Sequence, residues 1–71
     1  MSMLKVIEVL AESDQGFDDA ARVAVATAAE TVRNIKSVYI KEMNAKVTDG
    51  KITRYRVNAK ISFLLDGESA D

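Results

Sequence analysis

Arg54, Arg56 and Lys60 fall at even spacing in one run of the chain, so on a strand all three would share a face. Three cationic side chains placed this way could receive a phosphate or another anion, and symmetry between copies would multiply their charge. They could equally pair with Glu8, Glu30 or Glu42 of neighbouring copies, and the balanced charge of the chain favours that reading. A second group, Glu12, Asp14, Asp18 and Asp19, gathers carboxylates that could hold Ca²⁺ or Mg²⁺ through oxygen ligands. Its spacing is not that of an EF-hand loop, and negative charge at the start of a helix accounts for the cluster without a metal. Catalysis has little to work with. Neither His nor Cys occurs, which removes the commonest general base and the commonest nucleophilic thiol, and the three glycines lie too far apart for a phosphate loop. The carboxylates, lysines and tyrosines that remain show no diagnostic pairing, so the chain reads as a non-enzyme.

With 71 residues the chain is one domain, 1–71, with an ordered core at about 4–65 and a frayed acidic tail at 66–71. So small a fold gets about 3–5 kcal/mol from a single core and needs a staple. Disulfides and thiolate metal sites are excluded by the missing Cys, which leaves oligomerisation. Ten Lys and Arg against eleven Asp and Glu give a net charge of −1 and no whole-chain attraction to nucleic acid or an anionic membrane. No apolar stretch approaches the ~18 residues of a membrane span, and Lys5 and Glu8 interrupt the N-terminal run. The expected location is the cytoplasm.

The elements that must position these groups are marked most firmly by Asp49 and Gly50. An Asp-Gly pair between two β-branched runs, 38–48 and 51–65, predicts a two-residue hairpin turn with positive φ at both positions. A first strand is expected at 3–10, followed by a polar connection at 11–16 in which Ser13 or Asp14 caps a helix. The helix should run from Phe17 to about Asn34. Phe17, Ala21, Ala24, Ala28, Val32 and Ile35 keep to one stripe, and Asn34 suits a left-handed end.

The second strand changes phase, because Val38 and Ile40 lie on even positions while Met43, Ala45 and Val47 lie on odd ones. Either both faces are covered or an extra residue near Lys41–Glu42 forms a β-bulge, the reading preferred here. On the third strand Tyr55, Val57, Ala59, Ile61 and Phe63 share an apolar face, with Arg54, Arg56, Asn58, Lys60 and Ser62 on the other. A β-α-β-β chain of this kind predicts an α+β, two-layer fold with strand order first, third, second, and the long second strand on an edge.

In this order and spacing the chain resembles the dodecin family. The features that carry the resemblance are Lys5-Val6-Ile7-Glu8, the Ala-rich helix, and Thr31-Val32-Arg33-Asn34-Ile35. The hairpin Asp49-Gly50-Lys51-Ile52, followed by Tyr55, Val57, Lys60 and Phe63, completes it. The resemblance implies a three-stranded antiparallel sheet wrapped around one helix, an obligate homododecamer with a hollow interior, and storage of FMN or riboflavin without turnover. Its flavin site would map onto Ser37, Asn44 and Arg56. The family's stacking Trp is replaced by Ser37, its pyrimidine-edge Gln by Arg56 and its basic residue by Asn44. Such an aromatic stack contributes about 0.5–1.5 kcal/mol beyond its area, which Ser37 cannot supply. Tyr39 is the one aromatic left that could substitute, unless it serves in packing.

Overall fold

Asp49 and Gly50 both take positive φ, 54° and 76°, and close the turn between Thr48 and Lys51 as a primed hairpin. The computed structural model describes residues 3–65; the tail expected at 66–71 lies outside the described residues. Four elements follow in order: β1 (Leu4–Ser13), α1 (Phe17–Ala28), β2 (Ile35–Thr48) and β3 (Lys51–Leu64). The sheet order is β1-β3-β2, with β3 antiparallel to both neighbours. β1 and β2 therefore run parallel to one another on the two edges, as the helical crossover requires.

Three register shifts shape the β2–β3 ladder. One falls between Ile40 and Glu42, at the expected bulge. Its consequence is that Val38, Ile40, Met43 and Ala45 stand opposite Ile61, Ala59, Val57 and Tyr55, all on the helix side, although their own parity changes. A second shift, between Ile35 and Ser37, adds Lys36 as the extra residue. A third, between Lys46 and Val47, adds Thr53 on β3 and brings Ile52 onto the same side as Val47.

The core is built from small residues: Ala11, Ala20, Ala24 and Ala59 pack with Val57 and Ile61, and Ala20, Ala59 and Ile61 are fully buried. Alanine on both surfaces lets α1 lie close against β1 and β3. The buried stripe of the helix is Phe17, Ala20, Ala24 and Ala28, so Ala20 rather than Ala21 occupies its centre. Both neighbours are alanine, and side-chain type alone does not tell them apart.

Four boundaries differ from expectation, and the simplest is that β2 opens at Ile35, which was expected on the helix stripe, rather than at Val38. β1 continues through Ser13 rather than stopping at Leu10, because the long β3 carries its partner along: Ala11 and Ser13 turn inward while Glu12 faces out. Neither Ser13 nor Asp14 caps α1. Gly16 occupies the N-cap without a side-chain bond, while the Ser13 hydroxyl accepts from the Gln15 N–H (2.8 Å) and donates to Asp19 (2.6 Å). The helix ends at Ala28, short of Asn34. Beyond it the bonds tighten, Glu30 N–H to Thr27 and Thr31 N–H to Ala28, which turns the chain back toward the sheet. Asn34 does take a left-handed φ of 61°, but as the entrance to β2, where its carbonyl accepts from the Leu64 N–H at 2.9 Å.

A helix of 12 residues spans about 18 Å, whereas strands of 14 residues span about 46 Å. The distal part of the hairpin therefore projects past α1, and its helix-side face leaves Met43, Val47 and Ile52 exposed.

Candidate functional site

Side chains on the sheet face turned away from α1 fall into cross-sheet rows set by the register. Val6, Ser62 and Ser37 form one; Glu8, Lys60 and Tyr39 the next; then Leu10, Asn58 and Glu42; then Glu12, Arg56 and Asn44. Asn44 and Arg56 are thus direct cross-strand neighbours, which the hairpin register alone brings about. Ser37 is not near them. Its partner Ser62 lies six residues along β3 from Arg56, roughly 20 Å away in an extended strand. The Ser37 hydroxyl is hydrogen-bonded to that of Ser62. Within one copy, then, two of the three family-site positions meet and the third stands at the opposite end of the face.

Tyr39 opposes Lys60 and is 64% exposed. It is the aromatic on this face among the described residues, two positions from Ser37. It takes no part in the core, while Tyr55, on the helix side, packs edge-on against Phe17. Apolar Leu4, Val6 and Leu10 are exposed along the β1 side of the same face. A groove of ≈ 490 Å³ lies at the far end, lined by Leu10, Ala11, Glu12, Asn44 and Arg56.

The arginines are paired within the chain. Arg54 Nη1 donates to Glu12 Oε1 at 3.1 Å and Arg56 Nε to Glu12 Oε2 at 2.6 Å. The expected partners were Glu8, Glu30 and Glu42 of neighbouring copies. Glu12 takes the role because β1 reaches far enough to place it opposite Arg56. The Arg56 hydrogen bond, with the charges of Arg56 and Arg54, holds the Glu12 carboxyl below the ordinary glutamate range. Glu8 is lowered too, first by a hydrogen bond from Asn58 and then by Lys41, whose ammonium lies 3.5 Å away across β3. Asn58 carries the one buried side-chain polar atom without a hydrogen-bond partner among the described residues, its Oδ1. Reading the sequence placed Asn58 on this face but missed Glu12, whose position opposite Arg56 shows only once β1 is extended to Ser13.

The acidic cluster does not converge. Glu12 is engaged by the arginines, Asp14 accepts from the Gln15 amide at 3.0 Å, and Asp19 accepts from Ser13. Among the described residues no group of three or more acidic side chains is placed to hold a metal ion. None of their helices is long and apolar enough to cross a membrane.

No curated protein matches the chain at the level of sequence. Solved structures do. A Thermus thermophilus dodecin variant is 24% identical, with 93% of this chain and 98% of that one covered and a TM-score of 0.89. The dodecin of Streptomyces coelicolor is 28% identical over 94% and 96% of the two chains, with a TM-score of 0.88. A calcium dodecin from Mycobacterium tuberculosis, described as having a novel calcium-binding site, is 30% identical over 99% and 100%, with a TM-score of 0.79. The Dodecin family model matches residues 3–66, nearly the whole of the fold described above, and the chain belongs to that family.

Proposed function

We propose that this chain is a cytoplasmic small-ligand binding and storage protein that works as a hollow homododecamer and carries out no turnover. Its ligand region is the sheet face that bears Tyr39, Ser37, Asn44 and Arg56. The observation that carries this reading is the separation of Ser37 from the Asn44–Arg56 pair by roughly 20 Å on one continuous face. A pocket that uses both ends must be completed by a second copy, and a fold with Met43, Val47 and Ile52 exposed beyond its own helix has apolar surface to give to such an assembly. FMN or riboflavin is the ligand we assign by family. Tyr39 replaces the missing indole as the stacking surface, since it stands free of the core two residues from Ser37. The calcium named for the M. tuberculosis relative is not carried over, because among the described residues no three acidic side chains are placed to hold a metal ion.

Titration of riboflavin and FMN with the purified protein, read by quenching of flavin fluorescence, tests the ligand. Saturable quenching that Tyr39→Ala abolishes supports the assignment, and a yellow preparation would already show flavin carried through purification. Absence of quenching with both flavins would leave a structural or partner-binding shell as the function. Light scattering tests the assembly separately, and a mass near 7.8 kDa would refute it.

A further inference from the structure

The far end of the open sheet face holds more positive charge than its own carboxylate neutralises. Arg54 and Arg56 lie on β3, with Lys46 opposite Arg54 and Asn44 opposite Arg56. Into this group β1 sends a single carboxylate, Glu12, directly across from Arg56. Glu12 divides itself between the two guanidiniums, one oxygen to each, at 3.1 and 2.6 Å. A guanidinium carries five N–H donors, and each of these arginines gives one to Glu12. Two guanidiniums thus share one carboxylate, and Lys46 on β2 adds a third cation opposite Arg54. Glu42, one row away, is opposite Asn58 and pairs with neither arginine among the described residues.

We propose that Arg54, Arg56 and Asn44 form a receptor for an oxyanion, a phosphate or carboxylate group of the ligand, with Glu12 as its built-in competitor. The proposal rests on the ligand face assigned above and adds the chemical class of what binds there. The bridging geometry is the supporting observation. Glu12 shows that one carboxylate can touch both guanidiniums at once, taking one charge-assisted hydrogen bond from each. The ≈ 490 Å³ groove beside Arg56 and Asn44 has room for such a group, and Leu10, 76% exposed on its wall, offers apolar contact to the body that carries it.

The test is titration of the full chain with inorganic phosphate and, separately, with acetate, at ionic strength matched with NaCl, following the arginine Nε–Hε resonances. Saturable shifts of Arg56 Nε–Hε with phosphate alone assign a phosphoryl group, and saturation with both assigns a compact oxyanion of either kind. Arg56→Gln should weaken binding about tenfold or more, the scale of a charged hydrogen bond. Glu12→Gln keeps the shape and removes the competitor, so it should tighten binding about fivefold, the scale of an exposed ion pair given up. Arg54→Gln, which also releases one oxygen of Glu12, should weaken binding in the same direction as Arg56→Gln. If neither flavin binds but the anion binds with these signs, the oxyanion site stands and the flavin assignment falls. No saturation with either anion overturns the proposal. So does a Glu12→Gln variant of unchanged mass and circular dichroism that binds phosphate more weakly.

Discussion

Phe17 meets Tyr55 edge to face, the ring centroids 5.1 Å apart and the planes at 81°. The contact marks the place where α1 stops covering the β2–β3 hairpin. Phe17 is the first residue of the helix, and the hairpin continues past Tyr55 to the turn at Asp49 and Gly50. An edge-on aromatic pair contributes about 0.5–1.5 kcal/mol beyond its buried area. A double-mutant cycle of Phe17→Leu and Tyr55→Leu, measured by denaturant unfolding at fixed protomer concentration, should return a coupling of that size. Additive effects of the two substitutions would mean that the rings merely share a surface.

The hairpin turn gives a second prediction, because the left-handed conformation of Gly50 has a known steric cost for any other L-residue. No heavy atom lies within 4 Å of where its Cβ would be, so a substitution there meets open space and the penalty is one of backbone conformation. With φ at 76°, Gly50→Val should lower stability by about 1–2 kcal/mol, and Asp49→Gly should leave it nearly unchanged. Thermal unfolding of the two variants side by side checks this, and equal melting temperatures would contradict the turn assignment.

At the core the critical approach is alanine on alanine. Ala20 on α1 and Ala59 on β3 both have no exposed surface, and the helix lies close because neither residue is larger. Ala20→Leu should therefore cost about 1–3 kcal/mol through overpacking, despite added apolar area and good helix propensity. Ala21→Leu, one position away and only half-buried, should be milder. This pair distinguishes the observed helix stripe from the one centred on Ala21.

Glu12 and Glu8 predict the acid limb of the stability curve. Both carboxyls are lowered below the ordinary glutamate value, Glu12 chiefly by the Arg56 hydrogen bond and Glu8 chiefly by that of Asn58. A carboxylate lowered in the folded state contributes its stability above the unfolded pKa and loses it as pH falls through the folded one. Stability should hold from neutrality down to the ordinary glutamate value of 4.5 and decline below it. In Glu12→Gln that decline should be shallower. Unfolding curves collected across the acid range would show it, and identical acid limbs for the two proteins would remove Glu12 from the account.

How much of this was legible in the sequence depended on whether the signal was local. Asp49-Gly50 needs no context, and the phase change between Ile40 and Met43 announced the bulge because one face of β2 had to stay apolar. The helix end was not legible. Val32 and Ile35 continue the helical spacing by chance, and what stops the helix is the need to turn back toward β3, where Asn34 receives Leu64. Within the site, Asn44 could be placed opposite Arg56 only by counting from the turn past the extra Thr53. Glu12 stayed hidden because Ala11-Glu12-Ser13 reads as a polar connection, and its strand character comes from pairing with the long β3. Non-local register decided these residues, and a single sequence carries little trace of it.

Positions 37 and 56 lie at opposite ends of the open face, and this shapes the last prediction. Ser37→Trp alone should add a stacking surface but leave Arg56 engaged with Glu12 at the other end. Arg56→Gln alone should free Glu12 from its shorter bond while adding no ring beyond Tyr39. If copies bring the two ends together, the double variant should bind riboflavin at least about tenfold more tightly than the unsubstituted chain. Each part of that gain has a stated source: the ring contributes about 0.5–1.5 kcal/mol beyond its area, and its burial adds more. Fluorescence quenching measures the affinity, and light scattering on the same samples shows whether the assembly survives the substitutions. A double variant that assembles as before yet binds riboflavin no better than either single change would show that the two ends do not meet. The ligand face would then have to be sought within one copy, around Tyr39 and Lys60, where Glu8 already supplies a neighbouring charge.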